Sequence, residues 1–146
     1  MRKGTGGAKL SDQMKLGAAN VLTYSNDIRP LAWSDGDPVV SATSDTSGIT
    51  IAGIGNGFQL TAPADTGTRT LSVYVGGWMS GGKLIAHLSD ISSSDFVDTS
   101  FSSATGQYKA VYTLTYRAAS PGQKLVVQWT QSSGSGNVTL QAAALR

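Results

Sequence analysis

Gln107-Tyr108-Lys109-Ala110-Val111-Tyr112-Thr113-Leu114-Thr115-Tyr116-Arg117 is the longest alternating run in the chain. Tyr108, Ala110, Tyr112, Leu114 and Tyr116 fall on one side. Lys109, Thr113, Thr115 and Arg117 fall on the other, where Val111 alone breaks the polarity. Successive side chains of a strand point to opposite faces, so the run reads as an antiparallel strand with one buried and one wet face. The same period recurs on both sides of it. Upstream, Leu71, Val73 and Val75 oppose Thr70, Ser72 and Tyr74, and Leu84, Ala86 and Leu88 send Ile85 and His87 outward. Downstream, Ser120-Pro121-Gly122-Gln123 carries Pro and Gly where a type II turn wants them. Leu125, Val127 and Trp129 then form an inward set, and Val138, Leu140, Ala142 and Ala144 form the last one.

Two further inward sets, Ile49 with Ile51 and Phe58 with Leu60 and Ala62, flank Gly53-Ile54-Gly55-Asn56-Gly57. Asn-Gly between alternating runs predicts a hairpin there. Gly76-Gly77-Trp78-Met79-Ser80-Gly81-Gly82 and Ser132-Ser133-Gly134-Ser135-Gly136-Asn137 read as loops between strands. Tyr24, Trp33 and Val39-Val40 mark earlier strands with looser limits. The only stretch that offers a short helix is 10–20; frequent Gly, abundant β-branched residues and the absence of Glu oppose helix elsewhere. The expected fold is all-β: an antiparallel, jelly-roll-like β-sandwich of about eight to ten strands with little or no helix. A Gly/Lys-rich N-terminal arm, residues 1–19, precedes the sandwich domain, residues 20–146.

The 146 residues suit one domain, and 40% hydrophobic content suffices for a core. Absence of Cys excludes disulfides, thiolate metal sites and Cys nucleophiles, and a single His excludes a two-His metal site within one chain. Eleven basic residues against nine Asp leave +2, scattered along the chain with no basic face or stripe, so nucleic acid is not an expected partner. No apolar run reaches membrane-spanning length, so no membrane insertion is expected. Met1-Arg2-Lys3 starts like a signal peptide, but Gly4-Thr5-Gly6-Gly7 replaces the apolar stretch; no signal peptide is expected in this chain. The low charge and the wealth of Ser, Thr and Gly nevertheless match an extracellular, cell-surface or virion protein.

Catalysis finds little support. His87 is the one histidine base and sits on the outward side of a strand, and no G-x-S-x-G elbow is present. The Gly-x-Gly at 53–55 is flanked by strands, with no helix N-terminus to cradle phosphate. Asp pairs such as Asp35 with Asp37, or Asp95 with Asp98, read first as turn chemistry. The chain is therefore expected not to be an enzyme and to need no cofactor. Calcium is the one metal these carboxylates suit, with Asp35 and Asp37, or Asp90, Asp95 and Asp98, as weak candidates whose spacing matches no EF-hand. Aromatics remain. Sugar rings stack on Trp and Tyr while polar neighbours satisfy the hydroxyls. Trp129, Tyr112 and Tyr116 are in phase with core residues. Trp33, beside Ser34-Asp35-Gly36, Trp78, beside Gly77, and Tyr24, before Ser25-Asn26-Asp27, lie at strand–loop boundaries and are the candidate contact residues, with Asp35 as a polar partner.

Gly55-Asn56-Gly57-Phe58-Gln59-Leu60-Thr61-Ala62-Pro63-Ala64-Asp65-Thr66, Arg69-Thr70-Leu71, Val73-Tyr74-Val75-Gly76-Gly77-Trp78 and Tyr112-Thr113-Leu114-Thr115-Tyr116-Arg117-Ala118-Ala119 together resemble a repeated module of large secreted bacterial surface proteins. Leu88-Ser89-Asp90 and Asp98-Thr99-Ser100 share the resemblance, which spans roughly residues 20–145. It implies a non-catalytic, carbohydrate-binding-like β-sandwich and brings no catalytic residues and no assigned ligand. Such modules carry a further Trp-containing stretch upstream of the part that Arg2 to Asp12 resembles. A sandwich lacking that strand would expose an open edge to another chain. Two functions follow. One is a module that binds a glycan or cell-surface ligand. The other is a subunit of a repeating assembly, such as a phage decoration or fibre protein or a surface filament. In that case the chain is a homo-oligomer or engages a neighbouring subunit through Arg2, Lys3, Lys9, Leu10 and Met14 of the arm.

Overall fold

The computed structural model describes residues 10–146 with side chains and residues 2–3 by their backbone. No helix occurs among the described residues, which form twelve strands with antiparallel pairing throughout. They are β1 (Arg2–Lys3), β2 (Met14–Leu16), β3 (Leu22–Tyr24), β4 (Leu31–Ser34), β5 (Gly36–Asp37), β6 (Ser41–Asp45), β7 (Gly48–Ala52), β8 (Gly57–Ala64), β9 (Arg69–Leu88), β10 (Phe96–Asp98), β11 (Ser102–Tyr116) and β12 (Gln123–Leu145). The stretch expected as a helix holds strand β2 instead, where Met14 faces Gln59 and Leu16 faces Gly57 across the ladder.

Two long strands, β9 and β12, make the sandwich by folding over. The first half of β12 lies between β8 and the second half of β9, with β2 and β10 outside them. The second half of β12 lies between β7 and the first half of β9, with β3 and β11 outside. These two five-stranded layers face each other. The inward residues are those the alternation singled out: Leu71, Val73, Val75, Leu84, Leu125, Val127, Trp129 and Val138 are all buried. Trp129 links the layers: its indole N–H donates to the Gly76 carbonyl at 3.1 Å, and its ring lies 5.9 Å from that of Tyr112. Tyr116 crosses as well, donating its hydroxyl to the Pro63 carbonyl at 2.9 Å.

Both glycine-rich segments expected to be loops are bends inside continuous strands. β9 runs unbroken through Gly76–Gly82 and β12 through Ser132–Asn137, with register shifts where they cross. The physical reason is close backbone approach: a Cβ on Gly136 would lie 1.7 Å from the Trp78 carbonyl oxygen, so only glycine lets the two strands pass. Each strand keeps a hydrogen-bonding neighbour through the bend, which is why the ladder survives it. Gly82 makes room of another kind, since its Cβ would meet the Trp129 ring at 1.9 Å.

The turn near Asn56 also differs from expectation. The tight turn closes one step earlier, with the Asn56 N–H on the Gly53 carbonyl at 3.0 Å and Gly55 at φ 85°. β7 and β8 do not pair with each other; each pairs with a different half of β12. The connection therefore crosses between layers. Gln131, buried at the bend of β12, fixes it: its side-chain oxygen accepts from Gly53 N–H at 2.8 Å, and its amide donates to the Ser133 and Gly134 carbonyls. The turn at Ser120–Gln123 forms as read, with Gly122 at φ 75°.

The last strand slips phase. Leu140 faces Val75 and Ala142 faces Tyr74, so Gln141 is one residue too many on β12, a β-bulge. Beyond it Ala143 and Leu145 pack on the core, and Ala142 and Ala144 turn outward beside Tyr74 and Ser72. This corrects the simple alternation expected for 138–144.

Residues 25–47 form an excursion from the sandwich. Its neck closes where Asp27 N–H donates to the Thr46 carbonyl (3.1 Å) and the Thr46 hydroxyl to the Ser25 carbonyl (2.8 Å). Inside it β4 pairs with β6, and β5 pairs with β1. Val39 and Val40, expected within a strand, lie between β5 and β6 and are exposed.

Candidate functional site

The excursion and the outward side of β12 enclose a cavity of about 300 Å³. Leu31, Trp33 and Asp35 form one wall; Tyr74, Leu145 and Arg146 belong to the other. Trp33 sits in β4 opposite Ala42, half-buried, with its indole N–H donating to the Val39 carbonyl at 3.0 Å. That bond fixes the ring, and Gly36 packs against it. Asp35 stands at φ 67°, a conformation Asp tolerates better than most residues. The bulge at Gln141 creates the opposite wall by turning the small Ala142 and Ala144 outward beside Tyr74.

A second cavity of about 350 Å³ lies on the other side of the excursion and shares Ala142 and Ala143 with the first. Asp12, Asp37 and Asp45 line it together with the apolar Leu10, Ile49 and Leu60. Hydrogen bonds from Ser47 hold the Asp45 carboxyl below its usual range.

Of the four contact residues expected from sequence, the structure brings Trp33 and Asp35 together. Trp78 stands apart from that cavity. It is on the outward side of β9, 46% exposed, in register with Gln107 and Asn137. Tyr24 serves as a tie: half-buried against Gly48, it donates its hydroxyl to Asp27 Oδ2 at 2.7 Å. Burial first, and that bond second, push its hydroxyl pKa well up. Tyr74, Arg29 and Gln141 were missed. Tyr74 carried a signal, an aromatic on the wet side of a strand; Arg29 and Gln141 carried none, because neither the excursion nor the bulge follows a period.

Arg29 is 9% exposed and reaches three strands at once. Its Nε donates to Gln141 Oε1 at 2.8 Å, Nη1 to the Ala110 carbonyl at 3.0 Å and Nη2 to the Val75 carbonyl at 3.1 Å. Its guanidinium lies 5.4 Å from the centre of the Tyr74 ring. Gln141 donates back to the Arg29 carbonyl at 3.1 Å, and Arg29 N–H donates to Asp27 Oδ1 at 2.8 Å. Burial lowers the guanidinium pKa and Asp27 opposes it.

The remaining carboxylates are engaged separately. Asp90 accepts from Ser92 and from Ala119 N–H, Asp95 pairs with His87 Nδ1 at 2.6 Å, and Asp98 accepts from Ser100 and from Tyr112 at 2.5 Å. Among the described residues no three His, Asp or Glu side chains gather into a group that could hold a metal ion. His87 is half-exposed on the outward side of β9, as its phase requires. In the arm, Lys9 and the side chains of Arg2 and Lys3 lie outside the described residues. The backbone of Arg2–Lys3 pairs with Gly36–Asp37 of the same chain, Leu10 is buried in its core, and Met14 is half-exposed on the edge strand β2.

Neither a protein-family model nor a curated protein matches the sequence. Solved structures do resemble the fold. The enzymatically active domain of bacteriophage CBA120 tailspike protein 4 superposes with a TM-score of 0.57 at 10% identity, over 95% of this chain and 20% of that one. The CBM22-1–GH10 modules of Clostridium thermocellum xylanase 10B, complexed with xylohexaose, give 0.51 at 10% identity, over 92% and 26%. An arabinose-bound GH51 α-L-arabinofuranosidase gives 0.50 at 10% identity, over 91% and 22%. This chain thus spans about a fifth to a quarter of those proteins. These likenesses show the fold alone, an all-β sandwich.

Proposed function

We propose that this chain is a non-catalytic module that binds a glycan, with the cavity between Trp33 and Tyr74 as its contact site. The observation that carries the reading is that cavity: about 300 Å³, with two aromatic side chains and the Asp35 carboxylate in its walls. Small-ligand pockets pair mostly apolar walls with a few placed polar groups. A sugar ring offers an apolar face to an aromatic and hydroxyls to a carboxylate and to backbone. Trp33 is held in place before any ligand arrives, which lowers the ordering cost of binding. The likeness to a xylanase module pair complexed with xylohexaose supports the same reading. Trp78, exposed beside Gln107 and Asn137, offers a second stacking surface, and the protein acts outside the cell, at its surface or on a virion.

A glycan array that includes xylohexaose and arabinose oligomers, followed by calorimetry, tests this. Wild-type chain is expected to bind, and Trp33→Ala to weaken binding by about tenfold or more, a loss of about 1.4 kcal/mol. Binding that survives Trp33→Ala unchanged refutes the assigned site. The likeness to a phage tailspike domain supports the second reading, a subunit of a repeating assembly. Light scattering separates the two, since a binding module runs as a monomer.

A further inference from the structure

We infer that Arg29 is the positioning residue of the aromatic site: it pins the Trp33-bearing excursion to the sheet and so sets the spacing between Trp33 and Tyr74. The inference rests on reading that cavity as the glycan site. Three observations carry it. First, the β4–β6 pair is a two-stranded unit, and such a unit is marginal in water unless something holds it. Second, Arg29 lies four residues before Trp33, with only Pro30 and the first two residues of β4 between them, so a displacement of one is passed to the other. Third, the acceptors of Arg29 lie on three adjacent strands of one layer: Val75 on β9, its cross-strand partner Ala110 on β11, and Gln141 on β12.

Gln141 is the bulged residue, and its amide both accepts from and donates to Arg29. The same bulge turns Ala142 and Ala144 toward the cavity side. One irregularity thus supplies the anchor and the wall. Tyr74 belongs to both, lining the cavity while its ring carries the guanidinium. A lysine cannot replace this fork, because its single ammonium reaches fewer of the three acceptors and stacks less well.

The test compares wild type with Arg29→Gln and Arg29→Lys, as full chains, by amide hydrogen exchange without ligand. Arg29→Gln is expected to speed exchange at residues 31–34 and 41–45 by about tenfold or more while residues 71–75 and 125–129 keep their protection. Arg29→Lys is expected to fall between. Unchanged exchange at 31–45 overturns the inference, and so does an equal increase across the whole sandwich. If Arg29→Gln does not fold, Gln141→Met removes one Arg29 bond and its return bond and is expected to give a smaller increase confined to 31–45; protection kept at 31–45 overturns the inference. Binding supplies the second readout, with xylohexaose as probe. If Arg29 acts through Trp33, the double variant Arg29→Gln/Trp33→Ala binds no more weakly than Trp33→Ala alone, and an additive loss overturns it. Wild-type chain that binds nothing on the array defeats the glycan reading, while the exchange result still decides the role of Arg29.

Discussion

Gly82→Ala decides between two descriptions of the chain because they predict opposite signs. In a loop between strands, Gly→Ala at a compatible backbone position stabilises by about 0.4–1 kcal/mol by restricting the unfolded chain. In the structure Gly82 is inside β9, and the added methyl would lie 1.9 Å from Trp129 Cη2. Carbon atoms pack at about 3.5–4.0 Å, so the indole or the strand must move by roughly 1.6–2 Å. The indole has little freedom, since its N–H is bonded to the Gly76 carbonyl and its ring is packed against Tyr112. Overpacking of this kind costs about 1–3 kcal/mol, and losing the buried hydrogen bond adds about 1. A total of about 2–4 kcal/mol lowers the melting temperature of a domain this size by roughly 6–15 °C. Thermal melts followed by far-UV circular dichroism measure the shift, and the near-UV signal reports whether Trp129 has moved. Gly106→Ala is the control, because its Cβ would meet nothing within 4 Å. A Gly82→Ala protein that melts at or above the wild-type temperature refutes the continuous bent strand and the packing of Trp129 beneath it.

Gln131→Leu strands the Gly53 N–H and two carbonyls at the bend, and with about 1 kcal/mol for each of these part-buried groups it is expected to lower denaturant stability by about 3 kcal/mol; a loss below about half a kcal/mol contradicts the role given to Gln131. Tyr116→Phe loses a single cross-layer bond and is expected to cost about 1 kcal/mol in the same assay. Asp98 is held below the usual carboxylate range chiefly by the Tyr112 hydroxyl, then by Ser100. A depressed folded pKa means stability that is present above the unfolded value, about 3.9, and is lost as pH falls through the folded one. Denaturation at stepped pH is therefore expected to show a shallower loss below pH ~4 for Asp98→Asn than for wild type, and identical slopes contradict the Tyr112–Asp98 bond.

The layers were legible because period-two alternation is a direct consequence of strand geometry. Leu71, Val73 and Val75, or Leu125, Val127 and Trp129, have no other reason to be spaced as they are. What alternation hides is continuity. Gly76–Gly82 lacks the pattern because glycine has no side chain to place, so the segment reads as loop, although its backbone keeps its partners through the bend. The same blindness hid the crossing of β7 to β8. Asn56-Gly57 fits a hairpin locally, but which strand takes up the free edges depends on β12, some seventy residues later.

The site was half legible for a related reason. Trp33 and Asp35 were found because loop-edge aromatics and carboxylates are visible in the sequence. Their partner wall was not, because it depends on one extra residue in β12. Without the bulge at Gln141, Ala143 and Leu145 would turn outward and Ala142 and Ala144 inward, and the wall beside Tyr74 would be lost. A bulge leaves no mark in composition, and an arginine beside a proline in an irregular stretch reads as surface charge. Yet Arg29 is buried, and its guanidinium donates to carbonyl and amide oxygens. Burying a charge that way is costly unless each donor is satisfied. Three strands contribute acceptors to satisfy it, which is more than the edge of a passive loop requires. That concentration of acceptors under the excursion ties the geometry of the cavity to the sheet, and it makes the spacing of Trp33 and Tyr74 a property of the whole layer.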